Sequence, residues 1–515
     1  MSTPYLLGID VGTYSTKGVL TTPEGEVLHQ HVVEHGVSFP RPGWVEQDAD
    51  EIWWSDVVAV CHSVRDAGFD TSRIGAVAVS AIGPCMLPVD EAGKPLRPGV
   101  LYGIDTRAHE EIAWLNEEFG EQAIYELGGM ALTSQAMGPK ILWLKRNEPD
   151  VYARTHKILT ASGYLVYKLT GEYVIDRHTG AHYNPLVDIS TIEWDDRFAE
   201  PIVEMDKLPR MMWSNEIAGE VTEAAAAETG LAVGTPVTAG TVDAAAEAVS
   251  VGAIEPGDLM VMYGTTMFFI LVTESSVPDV RVWSTGYVFP NSRNIAGGMS
   301  TTGALTRWFR DQLGHQEMAA QADGGPNAYA ALADLAADVP PGAHGLICLP
   351  YFAGERTPIH DPDARGVFAG LTLSHTRGHM YRAVLEGTAY GVRHNVETLR
   401  DIGAPPKRIV AVGGGAKNEL WLQIVSDVAN IPQVVQEQTI GAAYGDAFLA
   451  GLGSGIIPNI SALTETWIQT KTVIEPNPDH TEVYGKTYAV YRSLYDNAKE
   501  DLHALAKLGA DLSID

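Results

Sequence analysis

YLLGIDVGTYSTKGVL, residues 5–20, sets the frame from which the rest of the chain can be read. Its apolar opening, 5–11, reads as a buried strand. Gly12 and Thr13 turn the chain, and 16–20 reads as a second strand. Gly25 then turns it into a third, 26–33. A strand meander here differs from the strand–loop–helix that opens a dinucleotide-binding unit. Beyond Pro256 and Gly257 the plan returns. DLMVMYGTTMFFILV, 258–272, is again apolar strand, Gly-Thr turn, apolar strand, so Gly264 and Thr265 answer Gly12 and Thr13. The echo predicts an α/β protein of two related domains.

Length and composition agree with that reading. A chain of 515 residues exceeds one ordinary core, and 45% apolar with 19% charged residues is a soluble globular composition. The formal net charge of −30, without a Lys/Arg-rich block, argues against nucleic acid as a partner. It does not exclude a nucleotide, which backbone N–H groups and Mg²⁺ can hold against the overall field. Cys61, Cys85 and Cys348 show no CxxC or metal-ligand spacing and fit reduced thiols. The first residues lack the basic and apolar segments of a signal peptide, and no apolar run approaches the ~20 residues that span a bilayer. The expectation is a cytoplasmic protein with no membrane partner.

Helical periodicity covers 50–68, 105–119, 138–147, 150–170 and 221–229, with strands at 74–80 and 235–239. Further helices are expected at 375–399, 418–429 and 439–450, and 480–510 reads as an amphipathic tail.

Several residues could carry chemistry. Asp10 ends a buried strand just before the Gly-Thr turn, beside Thr13, Ser15, Thr16 and Lys17. A carboxylate there can hold Mg²⁺ through water while turn N–H and hydroxyl groups face phosphate oxygens. The same residues also suit a plain hairpin whose Asp and Thr satisfy their own backbone. Gly264, Thr265 and Thr266 pose the same choice. Gly413, Gly414 and Gly415, with Asn418 at a helix start, leave a flat surface against which an adenine could lie. Asp243, in AGTVDAAAEA, is either a helix N-cap or a general base for an acceptor hydroxyl. His178 and His182 have metal-like spacing without further ligands and read as surface or groove histidines. Gly485, Lys486 and Thr487 end like a phosphate loop but lack its earlier glycine and strand.

In this order the pieces resemble the FGGY carbohydrate kinase family over nearly the whole chain. GVFAGLTLSHTRGHMYRAVLE, 366–386, matches the family's C-terminal signature, and YFAGERTPIHDPDARG, 351–366, is similar to its sugar-kinase loop. KILWLKRN, 140–147, fits the N-terminal signature, with Met137 where Pro, Ser or Thr is usual. The resemblance implies an actin-like ATPase (ribonuclease H-like) fold: duplicated mixed-sheet domains with an interdomain cleft. It implies domains at 1–252 and 253–455, with a helical tail at 456–515. ATP and Mg²⁺ are the implied cofactors, a small sugar or polyol the partner, and a homodimer the assembly. Asp10 (Mg²⁺ through water), Thr13, Tyr14, Ser15, Thr16 and Lys17 fall in the first phosphate loop. Gly264, Thr265 and Thr266 fall in the second. Gly413, Gly414, Gly415 and Asn418 fall in the adenosine site. Asp243 aligns with the catalytic base, and Ser80, Tyr102, Asp105 and Arg107 with the acceptor site. The general look is closest to xylulokinase-like members. However, SAIGPCML (80–87) replaces their Gln-Met-His-Gly stretch, and Gly103 stands in the Trp slot of Trp-x-Asp-x-Arg. Another ketose or a polyol (ribulose, erythritol or glycerol type) is therefore the alternative acceptor. A non-catalytic sugar- or nucleotide-binding protein of the same fold is the alternative class.

Overall fold

The opening meander forms where its apolar pattern places it. In the computed structural model, which describes residues 3–512, β1 (Tyr5–Val11), β2 (Ser15–Thr21) and β3 (Val27–Glu34) run antiparallel in turn. The last three residues of the expected tail lie outside the described residues. Helix α1 (Ser55–Asp66) follows, and β4 (Ile74–Ala81) pairs parallel with β1, Asp10 opposite Ser80. β5 (Ile217–Glu220) and β6 (Pro236–Thr238) extend the sheet to the order β5-β6-β4-β1-β2-β3. The two-residue strand β7 (Thr241–Val242) also lies parallel to β4, Thr241 opposite Ser80, and leads directly into α2 (Asp243–Ser250). Three parallel strand ends thus bring Asp10, Ser80 and Asp243 to one edge, where ligands of open α/β sheets are usually met.

The echo at 258–272 is equally real. β8 (Asp258–Tyr263) and β9 (Met267–Thr273) form an antiparallel hairpin. Helices α3 (Gly303–Leu313) and α4 (Arg377–Asp401) follow, and β10 (Arg408–Val412) then pairs parallel with β8. Beyond α5 (Glu419–Ala429), β11 (Gln433–Gln436) and β12 (Thr470–Ile474) continue the order β9-β8-β10-β11-β12.

The chain divides into two compact units that interleave in sequence. One comprises 1–254, 272–295 and 438–469; the other comprises 255–271, 296–437 and 470–515. Within the first unit α6 (Ala442–Gly453) packs its Ala- and Gly-rich surface on β1, β4 and α2.

Three helical expectations need correction. The span 150–170 is two helices, Pro149–Arg154 and Ala161–Thr170, around a strand, Lys157–Leu159, that pairs with Leu87–Val89. The helix expected from 105 begins at His109, so Asp105 and Arg107 precede it. The 50–68 span opens as a wider π-turn, Ala49–Trp54, before α1. Gly485, Lys486 and Thr487 lie within the helix Thr481–Asp511, where Lys486 pairs with Glu482, and form no phosphate loop.

Candidate active site

At the strand edge of the first unit, four carboxyl groups converge with little positive charge among them. Asp10, on β1, is pushed up to about 6 by burial, against the pull of Lys17 and a bond from Ser80. Asp243 is the first residue of α2 rather than its N-cap, which is Val242; one carboxylate oxygen, Oδ1, accepts the Ala244 N–H at 2.7 Å. Burial and the charges of Asp10 and Glu247 push Asp243 up to about 8. Burial and Asp10 push Glu247 up to about 7, and burial drives Asp446, on α6, well above the carboxylate range. Ser80, expected to face the acceptor, is buried instead. Its hydroxyl donates to Asp446 Oδ2 at 2.6 Å and lies 3.3 Å from Asp10 Oδ1, so two carboxyl groups compete for it.

This oxygen-only donor set fits a hard divalent cation. Among the described residues no group of three or more His, Cys, Asp or Glu is arranged to hold an ion by itself. Mg²⁺ characteristically keeps several waters and takes one or two carboxylates together with nucleotide phosphates.

The first Gly-Thr turn is held from behind by its carbonyls. His35 Nε2 donates to Gly12 O at 3.0 Å, Gln47 Nε2 to Thr13 O at 2.9 Å, and the His35 N–H to Tyr14 O at 3.0 Å. The Gly12 N–H closes the turn onto Ser15 O at 2.9 Å. Among the described residues the Thr13 and Tyr14 N–H groups find no protein acceptor. Thr16, expected in this loop, is turned inward: it is buried, and its hydroxyl donates to Asp56 Oδ2 at 2.8 Å. Tyr14 and Lys17 are exposed and Ser15 is half-buried.

The second turn solves the same problem with a helix. Gly264 O accepts the Gly303 N–H at 3.0 Å, and Thr265 O accepts the Ala304 N–H at 2.9 Å, both from the first turn of α3. Thr265 and Thr266 face solvent. Gly413, in the left-handed region at φ +91°, brings the third glycine cluster against Tyr263, the residue before Gly264. Gly414 and Gly415 form a short 3₁₀ turn, and Asn418 caps α5 by accepting the Trp421 N–H at 3.1 Å. The sequence reading missed Gly303, His35, Gln47 and Glu247. Only Gly303, a glycine opening a helix after TT, left a local trace.

Asp105 and Arg107 are not free to meet an acceptor. Asp105 accepts the Val45 N–H at 2.6 Å and three bonds from Arg107 Nε and Nη2. Arg107 Nη1 lies 2.8 Å from Glu46, and its guanidinium rests 4.1 Å from the Trp44 ring centre. They form an internal ion pair. Tyr102 alone of the four acceptor-site expectations keeps reach: it is half-buried, its hydroxyl is 3.3 Å from Thr13 Oγ1, and Asp243 is among the groups raising its pKa. Its loop is fixed by buried Lys140, whose Nζ donates to Leu101 O at 2.6 Å and Tyr102 O at 2.7 Å. Beside it the Gly103 N–H donates to Gln135 Oε1 at 3.1 Å, so an amide fills the space expected for Trp. His178, expected at the surface, is buried and bonds Gly286 O at 2.8 Å; His182 is partly buried beside it.

Residues 5–250 match the N-terminal domain, and residues 259–454 the C-terminal domain, of the FGGY family of carbohydrate kinases. The crystal structure of xylulose kinase from Rhodospirillum rubrum superposes with a TM-score of 0.90 at 32% identity, covering 97% of this chain and 100% of that one. The xylulose kinase of Staphylococcus xylosus is 27% identical over 96% of this chain and 100% of its own length. The gluconokinase of Bacillus subtilis (strain 168) is 28% identical over 90% of each. Among the described residues no helix is long and apolar enough to cross a membrane. With both halves of the repeat matched to its two domains, the chain belongs to the FGGY family of carbohydrate kinases, phosphotransferases of the two-domain, actin-like ATPase fold.

Proposed function

We propose that the chain transfers the γ-phosphoryl group of ATP to a hydroxyl of a small sugar, with D-xylulose, giving D-xylulose 5-phosphate, as the best acceptor. The observation that carries this reading is the placement of Asp243. It stands at the strand edge beside Asp10, one residue past a strand paired to β4, in the unit that holds the open nest of Thr13 and Tyr14. Asp243 Oδ1 is tied to the Ala244 N–H, which leaves Oδ2 to accept the proton of the attacking hydroxyl. Mg²⁺-bound ATP supplies the transferable phosphoryl group and the positive charge that this carboxylate cluster lacks. Asp10 would hold the cation through water, and Thr13, Tyr14 and Ser15 would receive phosphate oxygens. Burial raises the pKa of both Asp10 and Asp243 and Lys17 offsets only part of that rise, so the positive charge of a bound cation would be needed to favour the ionised base. In the second unit, Gly264, Thr265 and Thr266 form the matching phosphate turn, and Gly413, Gly414, Gly415 and Asn418 the adenosine face. Tyr102 contacts the acceptor.

A second acceptor class has its own support. Gln135 Oε1 is committed to Gly103, so its NH₂ group presents two donors where an aromatic ring was expected. Donors suit a carboxylate or carbonyl oxygen, and one relative is a gluconokinase. An aldonate such as gluconate is therefore the second reading. ADP release with D-xylulose, D-ribulose, gluconate, erythritol and glycerol tests both. D-xylulose should give the highest kcat/KM. Highest turnover with gluconate would favour the second reading, and no stimulation by any of the five would refute the proposal.

A further inference from the structure

His35 leaves β3 and turns beneath the first Gly-Thr turn, where both of its ring nitrogens face acceptors. Nε2 lies 3.0 Å from Gly12 O and Nδ1 lies 2.7 Å from Asp56 Oδ2. A carbonyl oxygen has no hydrogen to give. Asp56 Oδ2 already accepts the Thr16 hydroxyl at 2.8 Å, as a carboxylate oxygen does. Neither partner can donate, so each ring nitrogen must carry its own hydrogen. The ring is almost wholly enclosed, with a side-chain exposure of 6%.

We propose that His35 is a positioning residue of the phosphate turn. As an imidazolium anchored on Asp56 it draws the Gly12 carbonyl back, and it sets a fixed positive charge behind the Thr13 and Tyr14 N–H groups that receive ATP phosphate. The inference rests on the reading of 12–15 as a phosphate turn and adds a residue that the turn's own sequence does not contain. The groups acting on the ring are few. Helix α1 supplies Asp56 and the turn supplies the carbonyls of Gly12 and Thr13; Asp10 and Lys17 are the other charged groups of the same hairpin. Burial works against the charged ring, but the bonds and charge of Asp56 and the bond to Gly12 outweigh it and hold the pKa above its ordinary value. The imidazolium is therefore held to higher pH than in a free histidine and is lost as pH rises through that raised pKa.

Calorimetry of ATP binding in the presence of Mg²⁺, on the full-length protein between pH 6 and 9, reads this directly. His35→Ala should weaken ATP binding about tenfold, the scale of one charge-assisted hydrogen bond. His35→Gln, which can still donate to Gly12 O without charge, should recover most of that loss. Wild-type affinity should fall on the alkaline side, and this fall should vanish in His35→Gln. Wild-type affinity in His35→Ala, or an unchanged alkaline fall in His35→Gln, would overturn the proposal. If His35→Ala does not fold, the pH dependence of His35→Gln decides alone. Thr13→Pro, which deletes one receiving N–H, separates the two levels. Unweakened ATP binding there refutes the phosphate turn itself. Weakened binding there, with a normal His35→Ala, refutes only the role of His35.

Discussion

The two Gly-Thr turns, 12–16 and 264–266, are written alike and supported differently. Both present N–H groups by tying their carbonyls back. In the first, side chains do most of it: His35, just past β3, and Gln47, in the short strand Glu46–Gln47, reach in to Gly12 O and Thr13 O. In the second, the backbone of α3 does it, with the Gly303 and Ala304 N–H groups on Gly264 and Thr265. Duplication has preserved the turn and not its scaffold. A side-chain support can be weakened one bond at a time, whereas a backbone support yields only if the helix moves. Substitutions in the two scaffolds should therefore behave differently.

The largest effect should come from Gly303→Val. A Cβ at this position would sit 2.3 Å from Gly264 O and 3.0 Å from Gly264 C, backbone atoms that cannot swing aside as a side chain can. We expect a loss of about 3 kcal/mol in the second unit and a collapse of ATP affinity. Hydrogen exchange across 258–273, which should lose protection, checks it. Next is Gln47→Leu. This change orphans Thr13 O, Gly36 O and the buried Trp53 Nε1, for about 2 kcal/mol of stability by denaturant unfolding, while the His35 contacts keep the turn formed.

The two units also differ in buried histidine. In the first, burial next to His178 drives His182 down to about 3, so the folded chain refuses a proton that the unfolded chain accepts below about 6.5. Stability attributable to His182 should therefore fall as pH drops from 6.5 towards 3, by about 1.4 kcal/mol per unit at most. Comparing wild type with His182→Gln between pH 7 and 5 should show the gap closing or reversing as the solution becomes more acid. Thr302→Val should have the smallest effect. The Thr302 hydroxyl reaches Gly264 O at a long 3.3 Å, beside an N–H that already serves it. We expect about 0.5 kcal/mol and an unchanged ATP KM.

What the sequence made legible follows the range of the forces involved. The strand–turn–strand units are local patterns, and both hairpins form where the apolar runs place them. The burial of Asp105 and Arg107 as a pair was not legible in the sequence. The residues that bury them (Trp44, Val45 and Glu46) lie about sixty positions earlier, and no local feature separates an internal ion pair from a ligand. The bonds of Thr16 and Ser80 were hidden for a similar reason: their partners, Asp56 and Asp446, lie on distant helices. The 150–170 span read as one helix because periodicity does not register a three-residue strand whose partner is Leu87–Val89. The assignment of 438–469 to the first unit was equally hidden, since only packing shows where α6 rests.

The most direct test of the account is acceptor-dependent ADP release by Asp243→Asn, with ATP binding followed in parallel. The substitution keeps the shape of the side chain and removes its capacity to take a proton. Turnover should fall by roughly 10²–10⁴-fold while ATP affinity stays within a few-fold of wild type. Turnover within a few-fold of wild type would remove Asp243 from the reaction, and with it the proposed mechanism.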